Sequence, residues 1–351
     1  MHSQGAKFTV PTRHITNGDS SAGTLRRVVD GPVLVTADLL HEGPCPPVEG
    51  DAWHDVRATF LASVGFPYDA VKTGLAGSDR MIIDACRRRE AIVLWFEHDL
   101  YDQLLLIRTL DLVGRSTGPA PHQTSRATKR VSLICISSFP GIDRFVGLGQ
   151  LTAEQLATLV GTNVPVTTAH FALATDAWRA FRSADPMELV YLARQLSAAQ
   201  SVVSEGGPVL RFLGDALLRF LAEFPSIANG LSHTEVLALD ALAAGATTAG
   251  ALFAATQARE AAPFIGDMTF FARLRALASA RVPLVSLDAA AGALDLRTCP
   301  VDITDAGRDV LACRADHVRL NGIDSWRGGV HLAGSDRSPW RWDADAETLV
   351  S

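Results

Sequence analysis

Three short stretches of this chain carry acids, histidines and small polar residues close enough together to do chemistry: Asn17-Gly18-Asp19-Ser20, Asp38 with His41 and Glu42, and Glu97-His98-Asp99. The first follows a short apolar run and opens a helix, so its backbone N–H groups could receive an anion. Asp38 lies about twenty residues further on, the distance at which a second-strand acid in a dinucleotide-binding fold reaches ribose hydroxyls. General acid–base catalysis needs a histidine or carboxylate held near a substrate, and His98, Glu97 and His41 are the candidates for that role. We therefore assign Asn17, Gly18, Asp19, Ser20 and Asp38 to ligand binding, and His98, Glu97 and His41 to catalysis. The expected site is a polar small-molecule pocket, with a nucleotide, sugar or phosphate-bearing substrate if the protein is an enzyme.

Several readings compete for these residues. Gly18 and Gly23 flank the first turn, but G-x-G-x-x-G is absent and no G-x-x-x-x-G-K-[ST] occurs anywhere. Asp19 would repel a phosphate there, and a helix cap supplied by Asp19 or Ser20 is the plain alternative. Gly18-Asp19-Ser20 also has the form of the nucleophile block of SGNH-type esterases. Its partner should be a late Asp-x-x-His, whereas the spacings present, Asp38 to His41 and Asp51 to His54, come early. A metal reading takes His41, Glu42, Glu97, His98 and Asp99, yet strand alternation sends Glu97 and Asp99 one way and His98 the other. Two of them with His41 would suit zinc or manganese, against a solvated loop with a buried His–Asp pair. We assign no metal ligand, and the sequence names no cofactor. The run Phe139 to Gln150 is either a lid, with Arg144 toward an anionic substrate, or a glycine-rich connector.

The elements that must position these groups follow from hydrophobic periodicity. Short β-branched runs at Arg13 to Thr16, Pro32 to Ala37, Ala91 to Glu97 and Arg130 to Ser137 read as strands. Helical patterns near Ser20 to Val29, Asp51 to Val64, Asp79 to Arg89 and Tyr101 to Val113 alternate with them. That alternation predicts parallel βαβ units, an α/β fold with a Rossmann-like N-terminal sheet whose ligand lies beyond the carboxyl ends of the strands. Ala91 to Phe96 is apolar throughout, as a strand buried on both faces should be. Arg115 to Lys129 reads as an exposed loop. From Leu151 to Phe224 helical periodicity takes over, with starts signalled by Thr152-Ala153-Glu154, Asp185-Pro186 and Pro208.

A third region opens at Ser232, which has capping-box spacing to Glu235. Helices at Thr234 to Ala243, Thr247 to Ala258 and Met268 to Ala280 precede β-like runs at Val282 to Leu287 and Ala293 to Ile303, joined by Ala289 to Gly292. Three helices and then a hairpin is the winged-helix order, a fold and not an activity. The expected domains are 1–150, a small-ligand-binding α/β domain; 151–228, a helical linker or cap; and 229–351, a winged-helix-like domain with a tail rich in tryptophan and arginine. Such a tail either packs back onto the body or forms an interface.

Composition bounds the rest. The 351 residues are 48% hydrophobic and 20% charged, which excludes a disordered chain or a coiled coil. Five scattered cysteines, Cys45, Cys86, Cys135, Cys299 and Cys313, form no C-x-x-C pair and read as reduced thiols. No apolar run reaches about 18 residues and the start has no apolar stretch behind it, so we expect a cytoplasmic protein without a membrane partner. The net charge of −6 argues against phosphate-held nucleic acid. Between Leu231 and Ala315 seven arginines face nine acids, so protein contact or a homodimer through this region is favoured over DNA.

Three motifs carry a resemblance: His14-Ile15-Thr16-Asn17-Gly18-Asp19-Ser20, Asp38-Leu39-Leu40-His41-Glu42-Gly43-Pro44, and Trp95-Phe96-Glu97-His98-Asp99-Leu100-Tyr101-Asp102-Gln103-Leu104. They resemble bacterial domain-of-unknown-function family 1835. Phe139-Pro140-Gly141, Gly147 to Leu151, Phe224-Pro225-Ser226, Asn229 to Ser232 and Gly328 to Leu332 resemble its longer members, so the likeness covers most of the chain. It implies membership and domain layout, and brings no catalytic assignment. The rival from another functional class is a ligand-sensing regulator whose last domain binds DNA or a protein, and a metal-dependent or serine hydrolase is a further alternative.

Overall fold

A computed structural model describes residues 11–117, 130–200, 209–287, 296–334 and 340–351. The stretch expected as a loop before the fourth strand and the Ala289 to Gly292 connection lie wholly or mostly outside these residues. In chain order the elements are β1 (Thr12–Thr16), α1 (Asp19–Leu25), β2 (Val33–Val35), β3 (Gly43–Pro44), α2 (Asp51–Ser63), α3 (Tyr68–Arg87), β4 (Ala91–Glu97), α4 (Leu100–Ser116) and β5 (Val131–Ile136). There follow α5 (Ala153–Ala157), β6 (Val164–Pro165), α6 (Thr168–Phe181), α7 (Met187–Gln200), α8 (Leu213–Leu221), α9 (His233–Ala243), α10 (Ala249–Arg259) and α11 (Asp267–Ser279). The last are β7 (Val285–Leu287), β8 (Val301–Ile303), α12 (Asp305–Leu311), α13 (His317–Asn321), β9 (Ile323–Gly328), β10 (Val330–Gly334), β11 (Arg341–Asp343) and β12 (Thr348–Val350). No helix among the described residues is long and apolar enough to cross a membrane.

The chain divides into two compact units: residues up to Asp38 with Lys72–His98 and Asp102–Trp178, and Leu39–Val71 with Asp99–Tyr101 and Arg179–Ser351. The first holds a five-stranded sheet in the order β2-β1-β4-β5-β6, parallel except for β6. From β1 the chain steps to β2 on one side and then returns to β4 on the other. β1 and β4 therefore flank the topological switch point, where open α/β sheets form their crevice. The apolar run of β4 behaves as its composition requires, with Leu94, Trp95 and Phe96 all buried. Trp95 is too large to leave its indole N–H unpaired in such a place, and it donates to His14 Nδ1 at 3.0 Å.

Two elements differ from the periodicity, β6 and helix α3, of which the part from Lys72 on belongs to this unit. Helix α3 begins at Tyr68, well before Asp79, and runs through Gly74 and Gly77. Each glycine disfavours a helix by about 1 kcal/mol, and the buried stripe of Leu75, Ser78, Ile82 and Ala85 outweighs that. β6 was hidden by its two residues and its proline; it pairs antiparallel with β5 at the sheet edge, where a proline is tolerated. The run 139–150 packs on the sheet: Phe145 and Leu148 join Leu25, Trp95, Ile134, Leu151 and Leu156 in one core cluster.

In the second unit α9, α10 and α11 precede the antiparallel pair β7–β8, with Val285 opposite Ile303, and a bridge joins Thr248 to Pro300. The capping box at the start of α9 is complete: Glu235 N–H donates to Ser232 Oγ at 3.3 Å, and Ser232 N–H to Glu235 Oε2 at 2.8 Å. The C-terminal tail folds back within this unit. Trp342 N–H donates to Pro225 O at 2.8 Å, and Arg327 Nε donates to Glu223 O at 2.7 Å. β3 lies parallel to β9, which pairs antiparallel with β10.

Candidate functional site

The carboxyl ends of β1 and β4 present Asn17 and Glu97 on either side of the switch point. Asn17 is fixed from both ends of its amide. Its Nδ2 donates to Asp102 Oδ2, and its Oδ1 accepts from Ser21 Oγ at 2.8 Å. Thr16 Oγ1 donates in turn to Ser21 Oγ at 3.1 Å. The other Asp102 oxygen accepts the Glu97 backbone N–H at 2.9 Å, so one buried carboxylate serves both strand ends.

Glu97 is clamped as well. Its Oε1 accepts the Leu148 backbone N–H, and its carbonyl accepts from Gln103 Nε2. Gly147 (φ +143°) lies so close that a Cβ there would meet Glu97 Oε2 at 2.5 Å, and one on Gly149 would meet Ser20 Oγ at 2.7 Å. These glycines let the 147–150 turn close directly on the strand ends. His98 is partly buried, with its ring 6.4 Å from that of Phe145, and burial lowers its pKa from the ordinary value. It is therefore neutral near pH 7, the form a general base needs.

Asp38 is buried on the stretch that follows β2, whose Thr36 N–H donates to Thr16 O at 2.9 Å. Gly18 occupies the N-cap position of α1 in extended conformation and makes no side-chain cap, so neither Asp19 nor Ser20 caps that helix. Both are exposed, and Ser20 Oγ donates to Gly149 O at 3.4 Å. α1 itself spans seven residues. Within the first unit Glu97 at the end of β4 and Asp102 in the first turn of α4 are buried carboxylates, oxygen donors of the kind that suit a hard divalent cation. Asp102 is the residue that sequence reasoning left without a role. Its signals were its place within the Trp95 to Leu104 motif and in the first turn of α4, five residues after Glu97.

His41 is built into the second unit. The loop that bears it is held by Arg57 of α2, a fully buried guanidinium that donates to Leu39 O at 2.9 Å, Glu42 O at 2.9 Å and Pro44 O at 3.0 Å. The His41 ring is 1% exposed and meets Phe264 edge-on at 5.2 Å and Tyr101 at 6.0 Å between centroids. Burial pushes its pKa down to about 4. Glu42 pairs with Arg273 of α11, which also pairs with Glu223. Burial alone would raise both carboxyls, yet the Arg273 guanidinium holds Glu42 below the usual range and, with Arg219, holds Glu223 well below it. Glu42 is thus part of an ion network.

Comparison of the chain with protein-family models and with curated proteins finds no match. The functional reading accordingly rests on the geometry of these residues.

Proposed function

We propose that the first unit binds a small polar ligand at the carboxyl ends of β1 and β4 and acts on it as a cytoplasmic enzyme. The ligand is of nucleotide, sugar or sugar-phosphate type, with Asn17 and Asp38 toward its hydroxyls and His98 as the acid–base group. One observation carries this reading: Asp102 locks Asn17 and the Glu97 backbone together at the switch point of the sheet. Buried or half-buried polar groups that fix one another at that place suit ligand recognition better than stability alone. A phosphate group would meet carboxylates here, so a phosphate-bearing substrate would arrive as its divalent-cation complex. Glu97, whose carboxylate is engaged with Leu148, serves as a positioning residue in this scheme.

The test is a melting-midpoint screen of the full chain against nucleosides, nucleotides and sugar phosphates, each with and without magnesium. A saturable rise that is lost in Asp38→Ala and His98→Ala supports the proposal. No rise with any of them, or an equal rise in both variants, refutes it.

We also propose, from its motifs, that the chain belongs to domain-of-unknown-function family 1835. A second functional reading concerns the C-terminal part of the second unit. The order α9-α10-α11-β7-β8, with an isolated antiparallel bridge between Thr248 and Pro300, favours a winged-helix-like domain. In such a domain α11 would be the reading helix. Its Arg273 is engaged by Glu42 and Glu223, Arg297 pairs with Asp267, and Arg281 donates to Leu320 O. That favours contact with a protein, including a second copy of this chain, over DNA. Sedimentation of the full chain over a concentration series tests the self-association.

A further inference from the structure

His41 belongs to the second unit, and its surroundings there make a separate case. No described residue lies within hydrogen-bond distance of either ring nitrogen, although the ring is almost completely enclosed. A neutral imidazole offers one N–H and one lone pair, and buried polar atoms of this kind nearly always have partners. The loop is also expensive to build: Arg57 spends its guanidinium on three backbone carbonyls of residues 39–44. A buried cation committed to fixing one short loop holds the ring it bears in one orientation, as a recognition residue requires.

The neighbours narrow the ligand. An anion is poorly served among the described residues, since Arg273 is taken by Glu42 and Glu223, Arg57 by the loop carbonyls and Arg219 by Glu223 and Glu260. A metal ion needs several ligands, and among the described residues no other His, Cys or carboxylate forms a group of three with His41. An apolar ligand would leave both nitrogens unsatisfied. What remains is an uncharged group that donates or accepts as the tautomer requires, the chemistry that a ligand hydroxyl shares with water. The enclosing rings of Tyr101 and Phe264 supply apolar walls of the kind that line small-molecule sites. Phe264 lies on the irregular connection between α10 and α11, with the Arg219 guanidinium 4.9 Å from its ring centroid.

We propose that the loop 39–44 is a preorganised recognition loop in which the His41 ring hydrogen-bonds an uncharged, hydroxyl-bearing small molecule of the sugar or polyol class. The inference goes beyond the reading of the first unit, and either can fail without the other.

The experiment uses the full chain labelled with 15N-histidine and titrated with D-ribose and, separately, glycerol. The His41 ring signals are those lost in His41→Gln. At least one probe should move them saturably, while the His14 ring, tied to Trp95 and to Asp30 O, stays put. Calorimetric binding of that probe should be abolished by His41→Phe. If His41→Phe does not fold, His41→Gln should weaken binding by roughly tenfold, the loss of one well-placed hydrogen bond. The proposal is overturned if neither probe moves the His41 signals saturably, if every histidine drifts together as in a solvent effect, or if a variant binds the probe as tightly as the parent.

Discussion

Asn17 and Asp102 are 85 positions apart in the chain, yet the amide of one donates to the carboxylate of the other where β1 and α4 meet. The same carboxylate accepts the Glu97 backbone N–H, so removing it frees two donors at once. Asp102→Ala should destabilise the protein by about 2–3 kcal/mol, the range for losing hydrogen bonds to a buried charged group. Asp102→Asn, which keeps one acceptor, should lose less. Equilibrium denaturation decides, and a loss below about 0.5 kcal/mol, typical of a surface site, would count against the assignment.

Gly147 and Glu97 should be energetically coupled. Gly147→Ala forces a side chain into a positive φ and against the Glu97 carboxylate, at about 2 kcal/mol or more. Glu97→Ala removes the obstacle but also the acceptor for Leu148 N–H. A double-mutant cycle should then show an interaction of roughly 1 kcal/mol, the double variant being less damaged than the sum. Strict additivity would show that the close approach has no energetic weight.

Acid sensitivity should have a histidine component. Folding holds the His41 pKa at about 4, below its ordinary 6.5. The unfolded chain therefore takes up this proton first as pH falls. The contribution is complete above pH 6.5 and lost progressively toward pH 4, by about 3 kcal/mol across that window. His41→Phe should flatten this part of the stability profile. An identical slope in parent and variant would show that His41 does not carry it.

The ion network of the second unit should behave as a buried pair does when halved. Arg273→Ala leaves Glu42 and Glu223 without their shared cation and should destabilise by about 3–5 kcal/mol. Arg275→Ala on the same helix, where the side chain is exposed, should stay within about 0.5 kcal/mol. Comparable losses in the two variants would contradict the difference in their surroundings.

A DNA-reading role for α11 predicts tight, salt-sensitive binding to duplex DNA. With Arg273, Arg281 and Arg297 engaged, fluorescence anisotropy should find only weak binding that Arg275→Ala leaves unchanged. Tight, salt-sensitive binding would restore the DNA reading of this domain.

The four parallel strands and the helices that follow them were legible because burial periodicity is local. A continuous apolar run such as 91–96 has few fates other than a central strand, and a serine three residues before a glutamate caps a helix wherever it occurs. Asn17, Asp38, Glu97 and His98 were legible as well, since strand ends follow from strands. Their partners were not. Asp102 with Asn17, Leu148 with Glu97 (51 residues apart) and Arg273 with Glu42 (231 apart) are choices among many equivalent donors and acceptors. The start of α3 was missed because two glycines weaken the local signal that a buried stripe overrides, and β6 because two residues carry no periodicity.

By itself the sequence determined the four parallel strands of the first unit, several of the helices and the polar residues near those strand ends, because these follow from patterns a few residues long. Only the tertiary structure decided that Asn17 is locked by Asp102, that Glu97 is clamped by the 147–150 turn, and that His41 is enclosed by rings while its neighbour Glu42 is spent on Arg273. Each of those outcomes depends on which distant surfaces the packed chain brings into contact, and no local propensity encodes that.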